Sequence, residues 1–269
     1  MRHGGVAART VFKSYKLTMH PVLFELGPIT VRSYGVCVAL AFLTGFTLLH
    51  IETVRKNFYP EKILDLNLLI LVSGIIGARA LHVIVNFDFY SQNPLGMLAV
   101  WRGGLAFYGG LIVAIFVSLW FLLRNGIPVL AAADFYAPYV ALGQAIGRIG
   151  CFLNGCCYGK PVAAGYPGVF FPGESFARYP TQVYASLALL LIFFALSLAR
   201  RKKFFPGFVM GLYLLLYSAQ RFIIDFLRGD NPTYIYGLTV SQIISIFVFI
   251  LTALLLFIIH AKTKVHGRR

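Results

Sequence analysis

The chain has 269 residues, of which 59% are apolar and only 12% charged, with 24 Lys+Arg against 9 Asp+Glu and a formal net charge of +15. Soluble domains are about 25% charged, so this composition, with a mean hydropathy of +0.78, excludes a disordered chain and a disulfide-stapled mini-domain and argues strongly against a soluble enzyme. Seven membrane spans of about 20 residues would use roughly 140 residues, which suits a polytopic membrane protein with short loops.

Residues 1–18 form a basic extension without a short apolar core and small-residue cleavage site, so they do not read as a cleavable signal peptide. Apolar stretches of spanning length follow at 33–54, 63–85, 105–123, 128–146, 183–199, 207–227 and 238–260. The fourth is the weakest, because Pro128, Asp134, Pro138 and Gln144 interrupt it. Connections are short except at 86–104 and 147–182, which are rich in Gly, Pro and aromatic residues. Such backbone is tolerated at membrane depth only where protein buries it or it lines a wet cavity, so both segments read as re-entrant or interfacial. No internal repeat of the kind found in many transporters is present. The expected fold is an all-α polytopic membrane protein of about seven transmembrane helices with a Gly/Pro-rich extracytoplasmic segment. Its expected parts are the extension 1–18, a single transmembrane domain 19–260 and a basic cytoplasmic tail 261–269.

In a soluble protein the excess of positive charge would suggest nucleic acid. Here most basic residues flank apolar stretches, where they favour an anionic bilayer surface and set topology; no nucleic-acid partner is expected. One set of loops carries Arg55, Lys56, Lys62, Arg124, Arg200, Arg201, Lys202, Lys203, Lys262, Lys264, Arg268 and Arg269 and is expected to be cytoplasmic. Seven spans then leave the N-terminus extracytoplasmic and the C-terminus cytoplasmic. The tail residues Arg2, Arg9, Lys13, Lys16 and Arg32 oppose that orientation. Initiation at Met19 would remove the first four, so residues 1–18 are expected not to be translated.

Charges within spans are costly and usually face a bundle interior or a wet cavity. Arg148 lies in GRIGCFLNGCCYGKP (147–161), where Gly147, Gly150, Gly155 and Gly159 allow close backbone approach and Asn154 offers a donor and an acceptor. Arg221, Asp225 and Arg228 stand at i, i+4 and i+7 and so share one helix face. Two arginines with one acid leave a positive face suited to a phosphate, whose oxygens the guanidinium fork matches. An Arg221–Asp225 pair that merely neutralises itself, with Arg228 snorkelling, fits the spacing equally well. In RGGLAFYGGLI (102–112), Gly103–Gly104 and Gly109–Gly110 flank an aromatic, a pattern also made by tight helix packing. In RYPTQVYAS (178–186), Thr181 and Gln182 are polar at a Pro-started helix, which is also how an ordinary helix entry looks.

Cys37 sits in an apolar span and reads as packing. Cys151, Cys156 and Cys157 lie within seven residues but lack a second cysteine pair or a nearby histidine, and adjacent cysteines are poorly placed to chelate one ion. No metal and no cofactor are expected. The three are expected to be dispensable packing residues, with a disulfide open in an oxidising compartment.

From about Met19 to the C-terminus the chain resembles prolipoprotein diacylglyceryl transferase, a bacterial inner-membrane enzyme family. The resemblance is carried, in order, by MHPVLFELGPITVRSYG (19–35), GAR (77–79), RGGLAFYGGLI, ADFYAP (133–138), GRIGCFLNGCCYGKP, YPTQVY (179–184) and RFIIDFLR (221–228). It implies transfer of a diacylglyceryl group from phosphatidylglycerol to the lipobox cysteine thiol of a prelipoprotein, at its signal-peptide region, with glycerol 1-phosphate leaving. It assigns Arg148, Arg221 and Tyr108 to the reaction, and Tyr34, Gly104, Gly150, Asn154, Gln182, Asp225 and Arg228 to substrate binding. Arg148 and Arg221 would clamp the lipid phosphate and hold the charge that develops as it departs. The chain departs from the family at Tyr108, where many members carry a histidine that is the natural base. A phenol ordinarily titrates at about pH 10 and is a poorer base at neutral pH. Cys151 and Cys156 replace a common Asn and Glu, Tyr179 a histidine and Ala185 an acid. These departures leave a second reading, a phospholipid-binding or transporting paralogue without the chemistry, and a third, transfer to a non-protein thiol.

Overall fold

The structure is a computed structural model that describes residues 19–26, 29–163, 168–202 and 204–266; the extension 1–18 and residues 267–269 lie outside the described residues. The helices are α1 (Ser33–Arg55), α2 (Pro60–Val85), α3 (Phe87–Ser91), α4 (Phe107–Arg124), α5 (Val129–Leu153), α6 (Thr181–Ala199), α7 (Phe208–Asp225) and α8 (Val240–His266). All but α3 are long and apolar enough to cross a membrane, which gives the expected seven spans. Three two-stranded antiparallel hairpins accompany them: β1–β2 (Val22–Leu26, Ile29–Arg32), β3–β4 (Val169–Phe170, Ala177–Arg178) and β5–β6 (Thr233–Ile235, Leu238–Thr239). Large apolar side chains such as Leu43, Ile76, Leu191 and Phe247 point outward and exposed, as a lipid-facing surface requires and a soluble surface avoids.

Most span ends shift by a few residues and α8 runs on to His266 rather than 260, but two differences bear on the site. The fourth span does not stop at residue 146: its helix, α5, runs to Leu153, so Arg148 and Gly150 are helical rather than part of a loop. Gly150 is a packing notch: a Cβ there would stand 2.7 Å from the Cys37 Cβ, so glycine is what lets α5 lie against α1. The sixth span, α7, ends at Asp225 rather than 227. Arg228 therefore lies beyond the helix, in a bridge to Gly159, and does not continue the face of Arg221 and Asp225.

The chain divides into two compact units. The unit formed by Phe42–Val140 and Lys203–Met210 is organised by α2 and α4, which meet glycine to glycine. A Cβ on Gly77 would be 2.6 Å from the Gly109 carbonyl oxygen, and one on Gly110 would be 2.7 Å from that of Gly74. The second glycine pair of RGGLAFYGGLI is thus explained by helix packing. Leu49, Ile63, Leu66, Leu122, Ile127 and Ala132 form its core. The acid that weakened the fourth span has partners: Asp134 accepts from the backbone N–H groups of Gly207 (2.7 Å) and Met210 (2.8 Å) and so caps the start of α7.

The other unit comprises the chain up to Ala41, Ala141–Lys202 and the chain from Gly211 onward. Here α6 is tied to α5 by the Ser186 hydroxyl, which donates to the Ala145 carbonyl at 2.9 Å. The Tyr213 hydroxyl of α7 donates to Gln144 of α5 at 3.0 Å. Gly211 brings α7 onto α8, where a Cβ would be 2.6 Å from Leu256.

Candidate functional site

The end of α7 is built around a buried carboxylate. Asp225 accepts hydrogen bonds from Asn231 Nδ2 (2.9 Å), Ser241 Oγ (3.1 Å) and the Thr239 hydroxyl, and pairs with Arg221 Nη2 at 3.1 Å. Arg221 Nη2 also donates to Ser241 Oγ at 2.9 Å. A charge buried this far from water needs such a full set of donors. Besides Arg221, the set comes from Asn231 in the connection after α7, Thr239 of the β5–β6 hairpin and Ser241 in the first turn of α8, so these segments hold the acid and the acid holds Arg221. Arg228 is turned elsewhere: its Nε and Nη2 meet the two Asp230 oxygens at 2.9 and 2.6 Å, and Asp225 is 3.8 Å away. Burial works against the Arg228 charge, but the Asp230 fork outweighs it and leaves its pKa raised. The expected pattern of two arginines and one acid is therefore two arginines and two acids, and the free positive charge must come from elsewhere.

It comes from α5. Arg148 is half-buried, and among the described residues no hydrogen bond or ion pair engages its guanidinium. With Cys157, Thr181, Gln182, Arg221 and Arg228 it lines one small pocket. The loop after α5 is fixed on that pocket by α6: Gln182 Nε2 donates to the Cys156 carbonyl at 2.6 Å and Thr181 Oγ1 to the Cys157 carbonyl at 2.9 Å. Gln182 is thus buried and structural on its amide nitrogen side, while its Oε1 is buried without a partner among the described residues. Tyr34 opens α1 beside the same stretch, its ring 3.4 Å from where a Gly150 Cβ would stand. Asn154 follows α5 in a turn, its backbone N–H returning to the Gly150 carbonyl at 2.9 Å.

The three cysteines do converge, against expectation. The cause is the way α5 ends. Gly155, at φ 71°, terminates the helix, with Gly155 N–H on the Phe152 carbonyl (3.0 Å) and Cys156 N–H on the Cys151 carbonyl (3.1 Å). This is the Schellman pair of bonds, which folds the residue after the glycine back over the last turn. It sets Cys156 against Cys151, and Cys157 at φ 63° turns in beside them. The three sulfurs lie within 4.8 Å of one another. The Cys157 thiol is held below the usual thiol range, first by hydrogen bonds from Cys151 and Cys156 to its sulfur and then, against burial, by Arg228 and Arg148.

Gly104 and Tyr108 belong to the other unit. Gly104 has φ 75°, and a Cβ there would meet His82 Nε2 at 2.6 Å and Arg79 Nη1 at 2.8 Å. Arg79 donates to the carbonyls of Gly96 (2.7 Å), Met97 (2.9 Å), Gly103 (2.6 Å) and Gly104 (2.9 Å) over the Tyr90 ring, so it organises the loop before α4. Tyr108, in the first turn of α4, is 64% exposed.

Sequence reasoning missed Thr239, Ser241 and Asn231, the holders of Asp225. The run of short polar residues opening the last span was their signal. It also missed Asp230, which is adjacent to the candidate arginines in sequence.

A family model described as prolipoprotein diacylglyceryl transferase matches residues 21–258. A Clostridium tetani protein named phosphatidylglycerol–prolipoprotein diacylglyceryl transferase is 37% identical over 239 residues, covering 87% of this chain and 95% of its own. Proteins of the same name are 35% identical in Streptococcus agalactiae, over 92% of this chain and 98% of theirs. In Streptococcus equi subsp. zooepidemicus the figures are 34%, 91% and 96%.

Proposed function

The chain belongs to the prolipoprotein diacylglyceryl transferase family, and we propose that it is a multi-pass membrane enzyme that moves the diacylglyceryl group of phosphatidylglycerol onto the lipobox cysteine of a prelipoprotein. The observation that carries this reading is the pocket shared by Arg148 and Arg221 at the ends of two spans. Arg148 has its guanidinium free among the described residues, and Arg221 is oriented by Asp225 and Ser241. A phosphodiester in this pocket receives charge-assisted hydrogen bonds from both. The acceptor thiol gives its proton to water, its sulfur attacks the diacylglyceryl carbon that carries the phosphate oxygen, and the C–O bond breaks. A thioether forms, and glycerol 1-phosphate leaves with the electron pair. The phosphate gains negative charge as the bond breaks, so preorganised arginines in a site of low dielectric stabilise the transition state more than the bound lipid. Gln182 Oε1, a buried acceptor without a partner among the described residues, suits a hydroxyl of the glycerol head group. The apolar groove between α7 and α8, lined by Phe222, Ile246, Phe249 and Ile250, suits an acyl chain.

Loop charge supports an orientation with the N-terminus outside and the C-terminus inside the cell. The ends of α5 and α7 that hold Arg148 and Arg221 then face outward, toward a translocated signal-peptide region.

The test is transfer by the purified chain in phosphatidylglycerol micelles to a synthetic lipobox peptide, read as the mass gain of a diacylglyceryl group, together with rescue of a strain depleted of its own transferase. Thioether formation and rescue are expected. Phosphatidylglycerol binding without transfer would instead favour the lipid-binding paralogue, the reading to which the Tyr108 departure points.

A further inference from the structure

The chain has a tyrosine where many family members keep a histidine, and three thiols, Cys151, Cys156 and Cys157, converge at the end of α5. We propose that Cys151, Cys156 and Cys157 form a three-thiolate site for a zinc-class d¹⁰ dication whose fourth position takes the acceptor thiol. The proposal rests on the transferase reading and supplies the thiol activation that this reading lacks.

The geometry suits such an ion. Thiolates about 2.3 Å from zinc in a tetrahedron stand about 3.8 Å apart, and these sulfurs already lie within 4.8 Å of one another. They are held there by backbone: the Schellman end of α5 sets Cys156 on Cys151, and Thr181 and Gln182 pin the carbonyls of Cys157 and Cys156. Side-chain rotation alone closes a cluster so anchored. Sulfur ligands select zinc or another thiophilic ion over magnesium or calcium. Three ligands are the number that leaves a catalytic zinc an open position. Three thiolates around a dication carry one net negative charge, and Arg148 and Arg228 beside them offset it. Cys157 also lines the pocket of Arg148 and Arg221, so a thiol at the fourth position would be adjacent to the lipid phosphate that the arginines hold.

The step balances without another reagent. The acceptor thiol binds the ion and its proton passes to water. The metal-bound sulfur supplies an electron pair to the diacylglyceryl carbon, and the C–O bond pair leaves on the phosphate. The neutral thioether is a poor ligand, so product release reopens the site.

The test uses the full chain in detergent. Metal analysis should find about one zinc per chain, and Cys151→Ser, Cys156→Ser and Cys157→Ser should each lower that content. Cobalt replacement should give a sulfur-to-metal absorption band in the near ultraviolet. A lipobox peptide should shift the band, and the same peptide with Ser for Cys should not. Chelation should lower transfer about 10²–10⁴-fold, the range a thiol-activating group supplies, and zinc should restore it in the unmutated chain. Undiminished transfer by the metal-free chain would overturn the proposal while leaving the transferase reading intact. A cobalt chain blind to the peptide would overturn the fourth-position role. A chain that binds zinc and answers the peptide but transfers nothing would keep the site and sink the transferase reading instead.

Discussion

The Arg228 guanidinium closes as a fork on Asp230, Nε to Oδ1 at 2.9 Å and Nη2 to Oδ2 at 2.6 Å. A fork already filled by a carboxylate has little left for a phosphate, although Arg228 lines the same pocket as Arg148 and Arg221. The three arginines are therefore unequal. Arg148→Ala and Arg221→Ala should each lower transfer by about 10²–10³-fold, the loss that follows removal of one transition-state donor. Arg228→Ala should cost about tenfold, roughly 1.4 kcal/mol. Arg221→Ala should stay folded, because Asp225 keeps Thr239, Asn231 and Ser241 as donors. Lys at either of the first two positions should rescue poorly, since it cannot make the two-pronged contact. Steady-state transfer rates in phosphatidylglycerol micelles, with size-exclusion profiles as the folding control, decide the ranking. Equal losses at all three positions would contradict it.

Asp225→Asn should act through Arg221. The new amide would turn N–H groups toward a shell of donors, and Arg221 would lose its counter-charge. Transfer should fall by about tenfold, less than for Arg221→Ala, with the thermal unfolding temperature lowered as well. Thr239→Val removes one donor from the same carboxylate and should move both readouts in the same direction by less. A buried group left short of one hydrogen bond costs about 1–3 kcal/mol. Unchanged activity and stability in both variants would show that the hairpin does not position the arginine.

Gly150→Ala should destabilise the protein. Its Cβ would stand 2.7 Å from the Cys37 Cβ and 3.4 Å from the Tyr34 ring, so α1 and α5 would have to separate. Overpacking of this kind costs about 1–3 kcal/mol. Cys37→Gly should recover part of the loss by removing the atom in the way, while Cys37→Ser should not. The coupling between the two sites, read from thermal unfolding of single and double variants, checks the contact directly.

The spans were legible because length and hydropathy leave few alternatives in a bilayer, and α1 begins where the apolar pattern begins, at Ser33. What misled was glycine. Gly147 and Gly150 read as loop, yet α5 continues through both; at Gly150 the missing side chain is what the neighbouring α1 needs. Gly155 does end the helix, and the folded-back turn that follows explains the cysteine cluster. Spacing alone did not distinguish the two kinds of glycine. The arginines were visible as costly charges in spans. Their ranking was not: the hydroxyls of Thr239 and Ser241 stand well beyond Asp225 in sequence and reach it through the β5–β6 hairpin and the start of α8, and spacing does not tell that the Arg228 fork closes on Asp230 rather than staying open.

Tyr108 is the departure that bears on the thiol proton. It sits in the first turn of α4, exposed, one residue before the glycine that brings α4 onto α2. Among the described residues its ring packs on Phe107 at 5.7 Å between centroids, and no hydrogen bond or ion pair engages its hydroxyl. If the acceptor thiol is activated elsewhere, Tyr108 only shapes the approach or donates one hydrogen bond. Tyr108→Phe should then lower transfer by at most about tenfold, roughly 1.4 kcal/mol. A phenolate base would instead make the same change cost about 10²–10⁴-fold. Tyr108→His restores the residue many relatives carry at a position with open space around it, and should keep or raise the rate. The two variants are informative together with metal removal. Tyr108→His should make transfer less sensitive to chelation, because an imidazole provides a second route for the thiol proton. A folded Tyr108→His protein without activity would show that the site has been rebuilt around tyrosine and that the family mechanism does not carry over at this position.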